Sequence, residues 1–279
     1  MSVVVVDSGV ANIGSVVAAL ERAQAQVTVS RDWEVIRRAP RVLLPGVGAA
    51  AAAMRELDRL ELSQRLPTLT QPVLGVCLGM QLLFEGSEEG GAPEAGTRDS
   101  RQAEIGTRDS GLGTRVGGES GVLRHVPASS HARADLHSDS AQPSPESRVP
   151  SPGPGECRVP SPESRPLLVR CLSILPGQVR RLPESPGVRI PHMGWNALIP
   201  RRAHPLVAGL SERDYAYFVH SFAVAESELT LMACQHGATF SAIVARGNFM
   251  GAQFHPERSA AVGARLLANF LTLDAEALS

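Results

Sequence analysis

The feature that most constrains the fold is the stretch at 72–84, in which two glycines flank a single cysteine. The apolar run at its start is too short for a helix and predicts a buried strand, whereas the residues from Met80 onward have helical character. Gly75 and Gly79 leave room for a sharp turn between strand and helix, with Cys77 in the turn. The dipole at a helix N-terminus favours a thiolate, so the segment predicts a candidate nucleophile.

A second motif bears on whether this cysteine is structural or catalytic. A lone cysteine after an apolar strand is commonly a small buried hydrophobic residue. The motif Gln-Phe-His-Pro-Glu at 253–257, however, offers the base and the carboxylate that a cysteine nucleophile needs. If a strand ends just before it, His255 and Glu257 can project to the same side. His220 is a second candidate for the base, and the histidines by themselves do not distinguish the two. The Pro-Glu that follows His255 favours His255.

Composition narrows the class of protein. The chain has 279 residues, of which 43% are apolar, so it can bury a large core in one domain or two. Its net charge of −1 gives no reason to expect nucleic acid or an anionic membrane as a partner, and no segment resembles a membrane span or a signal peptide. The four cysteines lack metal-binding spacing, which favours free thiols in the cytoplasm and predicts no metal site.

Strands and helices alternate along the first 90 residues. Strands are predicted at 2–6, which we expect to be central, and at 27–29 and 42–44; helices are predicted after Asn12 and Asp32 and over 49–66. This order predicts a parallel sheet whose ligand crevice lies outside the carboxyl ends of the strands. Further strands are predicted at 215–220, 230–234, 240–245 and 250–254, with 230–234 and 240–245 forming an antiparallel extension, and a final helix at 259–271.

The middle of the chain has a different composition. Residues 90–166 hold ten of the 21 prolines and are rich in glycine and serine. Such a segment cannot bury enough apolar surface to offset the entropy of ordering, so it is predicted to be a disordered insertion between 1–89 and 167–279, which form one domain. Its repeats, such as Ser-Pro-Glu-Ser-Arg at 144–148 and 161–165, fit an in-frame DNA repeat; a proline-rich ligand for another protein is the alternative.

The motifs together resemble a known family. Gly-Val-Cys-Leu-Gly-Met-Gln at 75–81 and Phe-His-Pro-Glu at 254–257 are similar to the triad motifs of class I glutamine amidotransferases, which have a flavodoxin-like α/β fold. Pro-Gly-Val-Gly at 45–48, Pro-His-Met-Gly-Trp-Asn at 191–196 and His-Pro-Glu-Arg-Ser at 255–259 resemble the glutaminase subunits of imidazole glycerol phosphate synthases. The resemblance covers residues 1–89 and 167–279.

The resemblance implies a function in histidine biosynthesis. A triad of Cys77, His255 and Glu257 would hydrolyse glutamine without a cofactor, and the ammonia would pass to a separate cyclase subunit that forms imidazole glycerol phosphate and AICAR ribonucleotide. The oxyanion and substrate residues implied are Gly46, Val47, Leu78, Gln81, Glu89, His220 and Ser221. The residues implied at the partner interface of this heterodimer are His192, Met193, Trp195 and Asn196, together with Asn12, for which a simple helix cap is the preferred interpretation.

Two other functions stay open at this point. One is a glutaminase of the same class that supplies another synthase, against which His-Met-Gly-Trp-Asn at 192–196 argues. The other is a non-catalytic scaffold that only holds the cyclase, its glutamine entrance spoiled by the insertion beside Glu89. The presence of Cys77, His255 and Glu257 argues against the scaffold.

Overall fold

The computed structural model describes residues 1–9, 13–90 and 168–274. Asn12 and the predicted insertion, apart from Gly90, lie outside these residues. The helices are α1 Ile13–Arg22, α2 Trp33–Arg38, α3 Ala50–Arg59, α4 Leu78–Leu82 and α5 Ala260–Thr272. The strands are β1 Ser2–Val6, β2 Gln26–Ser30, β3 Val42–Gly46, β4 Val73–Cys77, β5 Gly86–Ser87, β6 Val169–Arg170, β7 Gln178–Arg181, β8 His192–Ala197, β9 Ile199–Pro200, β10 Tyr215–His220, β11 Phe222–Val224, β12 Thr230–His236, β13 Ala238–Arg246 and β14 Phe249–Ala252.

The largest sheet has the strand order β2-β1-β3-β4-β14-β13-β12-β9. The pairs from β2 through β14 are parallel, and those from β14 through β9 are antiparallel. This arrangement confirms the predicted α/β fold with a mostly parallel sheet and an antiparallel extension. The prediction that β1 is central is wrong: β1 lies second from the edge, and β4 and β14 occupy the middle. A β-branched run signals burial on both faces, which β1 also has, and does not fix a strand's place in the order.

The sheet is covered on both faces because successive strand residues point in opposite directions. Val3 and Val5 join one apolar cluster with α1 and α5, whereas Val4 and Val6 join the other with α2, α3 and α4. Each fully buried aliphatic side chain contributes about 1.5–3 kcal/mol relative to an exposed one. The two clusters therefore fix the sheet against its helices and hold the ends of its strands in place.

The helix predicted over 49–66 is shorter than expected. It ends at Arg59, and Glu61 takes a positive φ of 55° before a 3-10 turn at Leu66–Thr68. The chain turns here so that Leu62 and Leu66 reach the apolar cluster, which overrides the local helical pattern. Two small sheets, β10-β8 and β11-β7-β5-β6, complete the fold.

Candidate active site

The turn between β4 and α4 has a strained backbone. Cys77 takes φ 53° and ψ −112°, a conformation that side chains other than glycine rarely adopt. The turn needs glycine on both sides of Cys77 because there is no room for a side chain there. A Cβ on Gly75 would lie 2.6 Å from the carbonyl oxygen of Gly79, and a Cβ on Gly79 would lie 1.9 Å from the carbonyl oxygen of Leu44. The sequence thus places the thiol at the carboxyl edge of the sheet and at the start of a helix.

His255 reaches the same edge from the neighbouring strand. Because β14 runs parallel to β4, the residues that follow each strand leave the sheet side by side. His255 Nδ1 donates to Glu257 Oε1 at 2.9 Å. The backbone around it is fixed as well, since Ser259 Oγ donates to the His255 carbonyl at 2.7 Å and the His255 N–H donates to the Tyr217 carbonyl at 3.1 Å. The imidazole therefore has one orientation.

The charges around His255 favour its protonated form. Burial by itself would lower the pKa of His255, but hydrogen bonds with Cys77 and Glu257, together with the negative charge of both groups, raise it to about 10. Glu257 is only 6% exposed, so its charge is poorly screened by water. The arrangement supports an imidazolium that faces the Cys77 sulfur.

Two other buried cysteines are held as neutral thiols. Burial raises the pKa of Cys171 and of Cys234 to about 12, so both are neutral thiols at neutral pH. Cys157 lies outside the described residues.

Among the described residues, no group of histidine, cysteine, aspartate and glutamate side chains is arranged to hold a metal ion. No helix in the described ranges is long and apolar enough to cross a membrane.

A cavity of about 180 Å³ opens directly on the thiol and the imidazole. It is smaller than the clefts of about 300–1,000 Å³ that take drug-sized ligands, so a small substrate fits it better. Its lining is Val47, Gly48, Cys77, Leu78, Gln81, Glu89, Val219, His220, Ser221, Phe222 and His255. A larger cavity of about 670 Å³ around 200–210 contains none of these groups, so chemistry rather than size identifies the candidate site.

Most of the residues implied for oxyanion and substrate binding line this cavity. Gly46 is not among the lining residues, but it ends β3 opposite Cys77 in the sheet register and precedes the exposed Val47. Glu89 Oε2 accepts from the Ala50 N–H at 3.3 Å, at the start of α3. Burial raises the pKa of Glu89, and this hydrogen bond lowers it by less. The site thus has a half-buried carboxylate at one end.

Gln81 makes its contacts within the protein. Its Nε2 donates to the Phe222 carbonyl at 2.8 Å and to Gln253 Oε1 at 3.0 Å, which uses both of its N–H groups. Gln253 Nε2 in turn lies 4.0 Å from Cys77 Sγ. Sequence reasoning assigned no role to Gln253; the available signal was a polar residue that follows a fully buried apolar strand.

The residues implied at a partner interface divide into two groups. Met193 and Trp195 are 64% and 53% exposed, and Asn196 is half-buried. His192 is 3% exposed and stacks on Phe218, with ring centroids 4.8 Å apart. The His192 side chain is turned into the core by the alternation along β8, and its place at a partner interface stays a prediction.

Comparisons with known proteins match nearly the whole chain. The family model "Glutamine amidotransferase class-I" matches residues 4–273. The imidazole glycerol phosphate synthase subunit HisH of Colwellia psychrerythraea is 38% identical over 276 residues, 99% of this chain and 95% of that protein. The HisH subunit of Xylella fastidiosa is 38% identical over 273 residues, 98% of each chain.

Solved structures share the fold at low sequence identity. A crystal structure of a glutamine amidotransferase has a TM-score of 0.53 at 14% identity, and the match covers 96% of both chains. The structure of PurLQS from Thermotoga maritima has a TM-score of 0.51 at 13% identity, and the match covers 97% of both chains. At these identities the likeness concerns the fold alone.

Proposed function

Because this chain belongs to the class-I glutamine amidotransferases, and within them to the HisH subunits of imidazole glycerol phosphate synthase, we propose that Cys77, His255 and Glu257 hydrolyse glutamine as a catalytic triad. The observation that carries the proposal is the strained Cys77 elbow facing an imidazole that Glu257 orients. The reaction releases glutamate, and the ammonia serves the synthesis of imidazole glycerol phosphate in histidine biosynthesis.

The triad supplies the proton transfers that amide hydrolysis needs. The Cys77 thiolate attacks the side-chain amide carbon of glutamine and forms a tetrahedral intermediate. The His255 imidazolium then protonates the leaving nitrogen, so that ammonia departs and a glutamyl thioester stays on Cys77. Neutral His255 next removes a proton from water, which attacks the thioester and releases glutamate. Glu257 holds the ring with its Nδ1–H toward the carboxylate throughout.

Residues in and beside the cavity bind substrate in this proposal. The Leu78 N–H at the start of α4 and the main chain of Gly46 and Val47 stabilise the oxyanion. The half-buried Glu89 carboxylate binds the ammonium group of glutamine. His220 and Ser221 contact the substrate through their backbone. Gln81 lines the cavity without donating to the substrate, since both of its amide hydrogens are already used.

The partner in this proposal is the cyclase subunit, which is a separate chain in a cytoplasmic heterodimer. Met193 and Trp195 on β8 and Tyr215 on β10 are large apolar side chains that lie more than half exposed on one small sheet. An exposed cluster of this kind is typical of a protein-binding surface. It forms the docking surface for the cyclase, with Asn196 at its margin.

The test is glutaminase activity with and without the cyclase subunit, for the full chain and for Cys77→Ser. We expect glutamate release by the full chain in the complex and none by Cys77→Ser. Activity of Cys77→Ser equal to that of the full chain would contradict the triad.

The position of the insertion favours a second candidate, a non-catalytic scaffold that only binds the cyclase. Glu89, which lines the cavity, lies two residues before the segment at 91–166. A variant that lacks 91–166 separates the two candidates. Equal activity of this variant and the full chain supports the glutaminase, whereas activity only after the deletion supports the scaffold.

A further inference from the structure

Two buried histidines connect β8 to the candidate active site through hydrogen bonds of fixed direction. The Asn196 amide sets the first direction: its Oδ1 accepts from the Ala197 N–H at 2.8 Å and its Nδ2 donates to the Gln235 carbonyl at 2.9 Å. The same Nδ2 lies 3.3 Å from His192 Nε2. Because Nδ2 only donates, His192 Nε2 accepts, and the hydrogen of neutral His192 is on Nδ1.

The contacts of His220, at the other end of the connection, determine the same tautomer independently. His220 Nδ1 lies 2.9 Å from the Phe222 carbonyl, which only accepts, so Nδ1 carries the hydrogen. His220 Nε2 then accepts from His192 Nδ1 across 3.1 Å. Both ends therefore require the Nδ1–H tautomer in both rings.

Both imidazoles are neutral at physiological pH. Burial, then the neighbouring His220 and His236, lower the pKa of His192 to about 3. The pKa of His220 is lowered to about 4, mainly by burial. The hydrogen bond to the Phe222 carbonyl raises this pKa, whereas the charges of His236 and His255 lower it further. His236 stacks on His192 with centroids 4.0 Å apart. The tautomers therefore stay fixed near neutral pH.

The chain of hydrogen bonds continues to the thiol. The Phe222 carbonyl that accepts from His220 also accepts from Gln81 Nε2, and Gln81 donates in turn to Gln253, whose Nε2 faces Cys77 Sγ. His192 itself does not line the cavity. Its neighbours Met193 and Trp195, however, form the exposed face of the same strand.

We propose that His192 is a positioning residue that couples the exposed face of β8 to Cys77 through His220, the Phe222 carbonyl, Gln81 and Gln253. The proposal rests on the glutaminase function proposed above. A protein bound to Met193 and Trp195 would shift β8, and the bond from His192 to its register partner His220 would carry that shift to the cavity wall. His192 therefore affects the reaction without touching substrate.

Two substitutions separate the hydrogen bond from the packing of the ring. His192→Phe keeps a planar ring beside Phe218 and His236 but has no donor for His220. His192→Asn has an amide nitrogen near the place of Nδ1 and keeps the donor. In the complex with the cyclase, we expect His192→Phe to lower kcat about 3–10-fold, the worth of one hydrogen bond, with KM for glutamine within about twofold. We expect His192→Asn to recover most of the loss.

A purely structural role gives a different pattern. If activity followed unfolding temperature and not the donor, with Phe no worse than Asn at position 192, the proposal would be overturned. Unchanged kcat in His192→Phe would overturn it as well.

The tautomers provide a test that does not depend on activity or on the stability of a variant. Long-range ¹H–¹⁵N NMR spectra of the full chain should show His192 and His220 as neutral Nδ1–H tautomers from pH 5 to 8. His204 is an internal control with the opposite tautomer, since its Nδ1 accepts from the Leu206 N–H and burial lowers its pKa. An Nε2–H or charged His220 would overturn the relay and leave the glutaminase proposal standing.

Discussion

Gly79 lies so close to Leu44 that a Cβ at position 79 would be 1.9 Å from the Leu44 carbonyl oxygen. This contact joins the start of α4 to the end of β3, the two elements whose N–H groups are proposed to stabilise the oxyanion. The elbow is therefore held by backbone packing on both sides, which keeps Cys77 in its unfavourable conformation.

We expect Gly79→Ala to disturb both stability and activity. The added methyl group meets backbone atoms that cannot rotate away, so the free energy of unfolding should fall by about 1–3 kcal/mol or more. Glutaminase activity should fall further, because the shift moves Cys77. Denaturant unfolding and glutamate release measure the two effects.

Gly14→Ala is the matched control for that substitution. A Cβ on Gly14 would meet nothing within 4 Å, and Gly14 lies in α1. Alanine there should leave the free energy of unfolding unchanged or raise it by up to about 1 kcal/mol. Equal destabilisation by the two substitutions would contradict the packing account of the elbow.

Glu257→Gln should lower the pKa of His255 from about 10, because it removes one of the two groups that raise it. Cys77→Ala should lower it as well, and the double variant should bring it below the ordinary 6.5, since burial then acts alone. Activity should fall about 10²–10⁴-fold in Glu257→Gln. An NMR titration of His255 in each variant measures the pKa. Glu34→Gln is the control, because the exposed Glu34 carboxylate pairs with Arg37 and its loss should leave the pKa of His255 unchanged.

The same pKa has a consequence for stability. The folded pKa of His255 lies above the unfolded value of 6.5, so the charged imidazole stabilises the fold fully below about pH 6.5. This contribution is lost as the pH rises through about 10. The pH dependence of unfolding should therefore weaken in Glu257→Gln, and an unchanged dependence would contradict the assignment.

Glu89→Gln should weaken substrate binding without cost to stability. The substitution removes a buried charge whose pKa is raised, so the free energy of unfolding at neutral pH should stay equal or rise. KM for glutamine should increase about 10–100-fold through loss of the bond to the substrate ammonium. In the unsubstituted chain KM should also rise as the pH falls toward the pKa of Glu89, and this dependence should vanish in the variant.

Glu88→Gln tests whether the effect belongs to position 89 alone. The Glu88 carboxylate accepts from the Arg181 N–H and does not line the cavity. The KM of the Glu88→Gln variant for glutamine should equal that of the unsubstituted chain. A similar KM change in both variants would argue against a specific ammonium site at Glu89.

The fold was largely predictable because the signals are local. The apolar runs that became β1, β3 and β4 and the cap residue Asp32 of α2 each specify an element within a few residues. The order of strands was not predictable in detail, since the pairing of β14 with β4 depends on contacts between distant parts of the chain. The end of α3 at Arg59 was not predictable for the same reason, because it depends on the packing of Leu62 and Leu66 against distant parts of the chain.

The candidate site was predictable where side chains carry the chemistry. Cys77 ends β4 and His255 follows the neighbouring β14, and the structure brings both to one cavity. The supporting contacts were not predictable, because their partners are main-chain oxygens: Gln81 and His220 both bind the Phe222 carbonyl, which has no sequence signal. For the same reason the buried position of His192 could not be read from its motif.

The most direct test of the account is the site of covalent labelling by a glutamine analogue with an electrophilic diazoketone in place of the amide. Peptide mass spectrometry of the cyclase complex should find one adduct, on Cys77, that excess glutamine prevents and that Cys77→Ser lacks. Labelling at Cys157, Cys171 or Cys234 instead, or release of glutamate with Cys77 unlabelled, would contradict the account.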